Sequence, residues 1–304
     1  MLGISSAWCS EICDSGAEII EEILSLGVSG VELEYRLSRP MLEEIVPLVI
    51  RGRISVTSLH NILPLPRKIP KNRADGEFVS LSSPDERERK AAIRYALGTL
   101  EWAEKLGARA VVLHMGKAAM DGAMGCLMDI YDWGKTRTEE GLAFIAEYKE
   151  IRARLGKPLL EASLKSLEVL AREGEKRGIS WGIENRYKIQ DFPTLEEFRT
   201  IFREFQGGPI RYWHDIGHAT TQENLGLVPR GELLKNFGEH LLGTHLHGCR
   251  GYDDHNAPGT GEEDYSLLKK FLRPETIRVV ETHHRATREE LLQGLAFLRE
   301  QGIA

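Results

Sequence analysis

Short apolar runs alternate with amphipathic stretches along the whole chain, and the alternation occurs eight times. The runs are typical of buried strands, and the stretches between them have apolar residues at helical spacing. Strands that alternate with helices pair in parallel, so eight such units in 304 residues predict an α/β fold, a (β/α)8 TIM barrel. A doubly wound sheet is the alternative, and the lack of Gly-x-Gly-x-x-Gly after the first strand makes it less favoured.

The predicted elements divide the chain as follows. Strands are predicted at residues 2–6, 30–34, 53–60, 108–114, 178–184, 209–215, 241–247 and 276–281. Helices are predicted at residues 17–26, 41–50, 86–106, 138–154, 159–177, 196–205, 229–237, 265–271 and 288–299, with a break between the fourth and fifth near Gly156 and Pro158. No domain boundary is visible, so we predict one domain over residues 1–304.

Three stretches lack a regular pattern. Residues 63–85 contain four prolines and are predicted to be a long loop at an active site or interface rather than a linker. Residues 117–135 are irregular, and the spacing of their methionines indicates a helix packing face. Residues 248–264 are predicted to be a polar, glycine-rich loop.

The composition is that of an ordinary globular protein, with 41% hydrophobic and 28% charged residues. The net charge of −6 argues against a dominant electrostatic grip on nucleic acid, although a local basic groove remains compatible with it. The four cysteines form no Cys-x-x-Cys pair, which favours reduced thiols in a cytoplasmic protein. No signal peptide is recognisable, and no apolar run reaches the ~18 residues that span a membrane.

The segment that ends at His218 carries the first indication of chemistry. An apolar and aromatic run from Ile210 to Trp213 leads to Asp215, and His218 follows three residues later. A strand end of this kind can supply one oxygen and one nitrogen ligand to a divalent metal. A helix cap beside a surface histidine would give the same pattern, so this pair does not decide between the two.

Five other predicted strands also end in a histidine or a glutamate, namely His60, His114, Glu184, His245 and Glu281. The C-terminal ends of barrel strands converge on one mouth, where several buried carboxylates would repel one another without a cation. We therefore predict a bound divalent metal. Histidine and carboxylate ligands without cysteine favour Mn, Zn, Co or Fe over Ca.

Strand alternation predicts which side chains face the barrel interior. If Asp215 points inward, Trp213 does too, and His214 points outward as a structural histidine. The residues two positions before the other candidates are small or apolar, among them Gly182 and Gly243. Small inward neighbours would leave room beneath a metal.

Several motifs together resemble the xylose-isomerase-like TIM-barrel superfamily. These motifs are Ile-Glu-Asn-Arg at 183–186, Asp-Ile-Gly-His at 215–218, His-Leu-His-Gly at 245–248, Asp-x-His with Gly-Thr-Gly-x-x-Asp at 253–264, and Val-Glu-Thr at 280–282. The superfamily includes sugar and sugar-phosphate isomerases and epimerases and also the type-IV apurinic endonucleases. The resemblance extends over nearly the whole chain and is more specific for the superfamily than for one reaction.

The resemblance implies two metal patterns. In the epimerase pattern, Glu184, Asp215, His245 and Glu281 hold one metal that stabilises an enediolate, and Glu184 and Glu281 act as acid and base. In the endonuclease pattern, a three-metal zinc cluster adds five further ligands, which are His60, His114, His218, Asp253 and His255. His247 could replace His245, and Asp254 could replace Asp253. The expected content is therefore one to three metal ions per chain.

The chain departs from the endonucleases in the loops that would grip DNA. His60 is followed by Asn61-Ile62-Leu63 rather than by a segment with tyrosine, and His114 by Met115-Gly116 rather than Pro-Gly. Bulky residues follow Glu184 where those enzymes have a small turn. These departures favour a sugar or sugar phosphate as substrate, with isomerisation or epimerisation as the predicted reaction and phosphodiester hydrolysis as the alternative.

Four more residues are candidates for substrate contact. Arg186 and Arg250 suit an anionic or polyhydroxy substrate, or else they support the ligand carboxylates. Glu34 and Trp8 are the other two, with a rim carboxylate and a core tryptophan as the alternatives. A barrel that binds metal and sugar without turnover is a third interpretation of the whole chain, and the pairing of related barrels implies a homodimer.

Overall fold

Eight parallel strands form the closed barrel that the strand-helix alternation predicts. The computed structural model describes residues 2–120 and 122–304. The strands are β1 (Leu2–Ser5), β2 (Gly30–Leu33), β3 (Ser55–His60), β4 (Ala110–Leu113), β5 (Ser180–Glu184), β6 (Ile210–Asp215), β7 (Leu241–Leu246), the hairpin strands β8 (Gly248–Arg250) and β9 (Asp253–Asn256), and β10 (Ile277–Val280). The barrel closes where β1 pairs with β10, and β8 and β9 lie outside it. The predicted (β/α)8 fold class is confirmed.

The helices surround the barrel. They are α1 (Gly16–Ser25), α2 (Arg39–Ile50), α3 (Glu86–Leu106), α4 (Ala123–Asp132), α5 (Glu139–Arg177), α6 (Leu195–Glu204), α7 (Ile216–Asn224), α8 (Glu232–Phe237), α9 (Tyr265–Lys269) and α10 (Arg288–Glu300). Glycines in the left-handed conformation end α3 and α5, at Gly107 and Gly178. None of the helices in the described residues is long and apolar enough to cross a membrane.

One long helix replaces two predicted ones, so the predicted break near Gly156 and Pro158 is wrong. Helix α5 runs through both residues without interruption. A Cβ at residue 156 would lie 2.2 Å from Oε1 of Glu197, so the glycine lets the helix pack directly against the buried Arg152–Glu197 ion pair. We infer that this packing outweighs the one helical hydrogen bond that the proline cannot donate.

Two segments predicted to be irregular contain regular structure. Residues 117–135 include α4, and residues 248–264 include the hairpin of β8 and β9. The residues after Asp215 form α7, in which the Asp215 side chain accepts a hydrogen bond from the backbone N–H of His218. Asp215 is thus the N-cap of this helix.

Trp213 fills the barrel interior beneath the strand ends, as alternation predicts. It is fully buried and packs with four other inward side chains, which are Ala110, Val112, Ile277 and Val279. A Cβ on Gly182 or Gly243 would lie 2.9 Å or 2.3 Å from the indole. The two glycines therefore make room for Trp213 rather than for a metal.

His214 points to the outer side of the barrel, where its Nδ1 lies 2.7 Å from the hydroxyl of Tyr212. Burial lowers the pKa of His214 to about 4. A neutral imidazole held by a tyrosine fits the structural role that the sequence predicts for it.

Candidate metal centre

The six strand-end candidates meet at the mouth of the barrel. His60, Glu184 and Asp215 are the last residues of β3, β5 and β6, and His245 lies one residue before the end of β7. His114 and Glu281 directly follow β4 and β10. All six are buried, and they belong to three groups with metal-ligand spacing.

The first group consists of Glu184, Asp215, His245 and Glu281. Nδ1 of His245 lies 3.1 Å from Oε1 of Glu184 and 3.0 Å from Oε2 of Glu281. Oδ2 of Asp215 is 3.6 Å from the same nitrogen. Three carboxylates thus converge on one imidazole nitrogen, an arrangement suited to a single divalent cation.

The second group consists of His60, His114 and Glu184. Oε2 of Glu184 lies 2.6 Å from Nε2 of His114 and 3.6 Å from Nε2 of His60. Because its Oε1 faces the first group, the carboxylate of Glu184 is shared between the two groups.

The third group consists of Asp215, His218, His247 and His255. Nε2 of His247 lies 2.9 Å from Oδ1 of Asp215, and the ring of His255 stacks on His247 at 4.3 Å between centroids. His247 is not among the ligands that the resemblance implies. Its position two residues after His245 was the available signal, because alternate strand residues face the same side.

The structure places Asp254, rather than Asp253, beside this third group. Oδ1 of Asp254 lies 2.9 Å from Nδ1 of His255, whereas Asp253 is exposed and pairs with Arg285. In an extended strand, residues 253 and 255 would face the same side. His255 has a φ of 58°, which interrupts the extended backbone, and the neighbouring residues 254 and 255 then face the same side.

Four of the histidines direct one ring nitrogen to an oxygen outside the three groups. Nδ1 of His60 and of His218 lie 3.0 Å and 3.1 Å from the backbone oxygens of Asn61 and Asn185. Nδ1 of His114 is 3.2 Å from Oε1 of Glu77, and Nε2 of His245 is 3.0 Å from Oε1 of Glu32. Metal-binding histidines are typically oriented in this way, with the second nitrogen left for the metal.

Several buried polar atoms in these groups also lack a hydrogen-bond partner among the described residues. They include Nε2 of His114 and of His218, Oε2 of Glu184, and Oδ2 of Asp254. Nε2 of His114 and Oε2 of Glu184 are close together but are not aligned for a hydrogen bond. Unpaired buried polar atoms are costly, and a shared cation would satisfy them. The residues present therefore fit a divalent metal.

The electrostatics of the site also call for positive charge. Burial would raise the pKa of Glu184, but the imidazoles of His114, His218 and His245 lower it well below its usual value. Burial would likewise lower the pKa of His245, and the nearby carboxylates of Glu281 and Glu32 raise it well above its usual value. The buried carboxylates and imidazoles of the site thus shift one another's pKa values in the directions that stabilise opposite charges.

The loop of residues 63–85 reaches this site through Glu77, which the sequence did not indicate. Its Oε1 contacts His114 and lies 3.6 Å from Nε of Arg186. Burial would raise the pKa of Glu77, but its close contact with the imidazole of His114 and the charge of Arg186 lower it to about 2. Arg186 also lies 3.5 Å from Oε2 of Glu184, so it joins the loop to the shared carboxylate.

The other three substrate-contact candidates occupy different environments. Glu34 is buried and pairs with Arg36 at 3.0 Å, while its Oε1 has no hydrogen-bond partner among the described residues. Trp8 is buried, and its Nε1 donates to the backbone oxygen of Ala286. Arg250 is exposed, and its Nε donates to the backbone oxygen of Thr260.

The sequence match to known proteins agrees with this fold. Residues 20–301 match the model of a family described as the xylose isomerase-like TIM barrel. The chain belongs to this family. A curated relative, an uncharacterised protein of Methanocaldococcus jannaschii, is 24% identical over 210 residues, which are 68% of each chain.

Solved structures of similar fold include proteins named as sugar epimerases. A D-tagatose 3-epimerase-like protein has a TM-score of 0.69 at 20% identity and covers 99% of this chain and 96% of its own. The 3-keto-D-glucoside 4-epimerase YcjR of E. coli has a TM-score of 0.69 at 17% identity and covers 98% of both chains. The IolI protein with a bound zinc atom has a TM-score of 0.67 at 15% identity and covers 99% of this chain and 97% of its own. At these identities the likeness shows the fold.

Proposed function

We propose that the protein is a metal-dependent sugar or sugar-phosphate isomerase or epimerase. The observation that carries this proposal is the approach of two glutamates to one imidazole nitrogen. Glu184 and Glu281 come from strands separated by β6 and β7 in the barrel, and each has an oxygen about 3 Å from Nδ1 of His245. Two carboxylates placed in this way can exchange protons with a substrate that is bound between them.

The first group would hold the metal, through Glu184, Asp215, His245 and Glu281. A divalent cation bound there would polarise the oxygens of a sugar and so acidify the hydrogen on the carbon beside the carbonyl. The donor set is compatible with Mn, Zn, Co or Fe. The solved structure of IolI holds a zinc atom, and proteins named as sugar epimerases share the fold, which supports the proposal.

The chain itself would transfer the proton. One glutamate removes a proton from the substrate carbon, which gives an enediolate, and a glutamate returns a proton to the same or the neighbouring carbon. Return to the same carbon from the opposite side gives an epimer. Return to the neighbouring carbon, with transfer of the hydroxyl proton between the two substrate oxygens, gives an isomer. Arg186, held between Glu77 and Glu184, supplies a partly exposed cation close to these carboxylates for an anionic or hydroxyl group of the substrate.

Proton exchange with solvent tests the proposal without knowledge of the natural substrate. The metal-loaded protein would be incubated in heavy water with a panel of ketoses and ketose phosphates and followed by proton NMR. We expect one carbon-bound hydrogen to be replaced by deuterium and a second sugar to appear. A panel without exchange or product under any metal, together with hydrolysis of a phosphodiester, would refute the proposal.

The sharing of Glu184 between two groups favours a second candidate, a metal-dependent phosphodiesterase of apurinic-endonuclease type. Metal ions that share a carboxylate can clamp a phosphate and activate water. The second and third groups supply ligands that a single-metal epimerase does not need. Cleavage of bis(p-nitrophenyl) phosphate and of abasic DNA by protein with two or three zinc ions per chain would support this candidate.

A further inference from the structure

Glu32 lies inside the barrel, directly behind His245. Its side chain is fully buried in β2, and its Oε1 lies 3.0 Å from Nε2 of His245. Its Oε2 accepts a hydrogen bond of 2.6 Å from the hydroxyl of Ser58. Among the described residues, His245 is the basic side chain that pairs with Glu32, and no lysine or arginine does so.

An irregularity in strand pairing brings Ser58 to this carboxylate. The register of β2 and β3 shifts after Val31, so that Val31 is opposite Val56 while Glu32 is opposite Ser58. The extra residue on β3 is Thr57, whose hydroxyl donates to the backbone oxygen of Val31 at 3.1 Å. Such bulges redirect side chains and are common next to functional sites.

The two nitrogens of His245 have different partners. Nε2 faces Glu32, and Nδ1 faces Glu184 and Glu281. If Nε2–H of His245 donates a hydrogen bond to Glu32, the lone pair of Nδ1 is free for a metal held by the first group. Burying a carboxylate without a cationic partner costs free energy. Packing alone therefore does not explain why Glu32 lies behind the ring of His245.

We propose that Glu32 is a positioning residue that fixes the orientation and tautomer of His245 for metal binding, with Ser58 holding its carboxylate in place. This inference rests on the proposed metal dependence of the protein. Glu32 does not touch the substrate or the metal and acts through the imidazole. The nearby Glu34 has a separate environment because it pairs with Arg36.

Metal affinity of designed variants tests this role. We would measure the dissociation constant for Zn²⁺ by competition with a chromophoric chelator in the wild type, Glu32→Gln, Glu32→Ala and Ser58→Ala. In Glu32→Gln the amide oxygen can still accept from Nε2 but the charge is lost, so we expect affinity to fall about tenfold, and about 100-fold in Glu32→Ala. Ser58→Ala should weaken binding less, and its effect should be non-additive with that of Glu32→Gln.

A matched control separates this role from the general cost of altering a buried carboxylate. Glu197 is also buried and pairs with Arg152 between α5 and α6, and it belongs to none of the three groups. Glu197→Gln should lower the thermal midpoint and leave the zinc dissociation constant unchanged. Nitrogen-15 NMR of the zinc-loaded wild type should show His245 protonated at Nε2, and Glu32→Ala should lose this single tautomer.

The outcomes distinguish this inference from the proposed function. If the wild type binds zinc and folded Glu32→Gln and Glu32→Ala bind it equally well, the positioning role is refuted while metal dependence stands. If the wild type binds no divalent metal, both fail. If the Glu32 variants do not fold, the zinc affinity of Ser58→Ala and the tautomer of His245 in the wild type decide. An unchanged affinity in Ser58→Ala, together with a proton on Nδ1 of His245, would overturn the inference.

Discussion

The imidazole of His247 packs directly on the backbone of Gly217. A Cβ at residue 217 would lie 2.0 Å from Cε1 of His247, closer than any real contact. The Asp-Ile-Gly-His segment thus needs its glycine because a ligand candidate from the neighbouring strand occupies the space of a side chain. The same segment contributes Asp215 and His218 to the third group.

Gly217→Ala should therefore displace His247 and weaken metal binding at the third group. We expect lower zinc content or affinity in this variant, together with lower stability from overpacking, by about 1–3 kcal/mol. Titration with zinc and chemical denaturation measure the two effects. Gly98→Ala is the control, since a Cβ there meets open space on α3, and it should stabilise by about 0.5–1 kcal/mol with unchanged zinc binding.

The placement of Asp254 beside His255 predicts different effects for two neighbouring substitutions. Asp254→Asn should reduce metal binding at the third group, because the carboxylate faces His218 and His255. Asp253→Asn should leave metal content unchanged, since that side chain is exposed and pairs with Arg285. Elemental analysis of both variants measures the effect, and loss of metal in Asp253→Asn alone would reverse the assignment.

Replacement of either glutamate of the proposed acid-base pair should abolish turnover. Removing one proton-transfer group costs a factor of about 10²–10⁴ in rate. Glu281→Gln should show this loss in the exchange assay and retain the fold by circular dichroism. Glu281→Gln should also weaken metal binding at the first group, and Glu184→Gln should weaken it at two groups, because its carboxylate is shared between them. A wild-type rate in Glu281→Gln would exclude it as acid or base.

The barrel core beneath the site gives a prediction for stability. Gly243→Ala would place a Cβ 2.3 Å from Trp213, which is fully buried. We expect the free energy of unfolding to fall by about 1–3 kcal/mol, as in other overpacked cores. Denaturant titration measures the change, and a variant as stable as the wild type would mean that Trp213 can move.

The strand ends could be predicted from the sequence because two simple periodicities determine them. Apolar runs mark the parallel strands, and the closure of a barrel brings their C-terminal ends together. These rules predicted that His60, Glu184 and Asp215 lie at the same mouth of the barrel. They also predicted that Trp213 points into the barrel and His214 points outward. None of this requires knowledge of contacts between distant side chains.

Other features depend on tertiary contacts that the sequence pattern does not contain. Helix α5 continues through Pro158, and the close approach of Gly156 to Glu197 is a tertiary contact that the sequence pattern does not show. Asp254 rather than Asp253 faces the third group because His255 has a positive φ. Glu77 contacts His114 because the proline-rich loop of residues 63–85 passes over the site. The sequence indicates only that Glu32 lies in a predicted strand, whereas its contact with His245 joins two strands that are separated by β1 and β10 in the barrel.

Metal content is the most direct test of the central claim that these strand ends form a metal centre. Protein purified without chelator or affinity-tag metal would be analysed for Mn, Fe, Co and Zn, before and after loading, beside Asp215→Ala. We expect at least one divalent ion per chain in the wild type and a loss of metal in Asp215→Ala, because Asp215 belongs to two groups. A wild-type protein that binds none of these metals under any loading condition would contradict the claim.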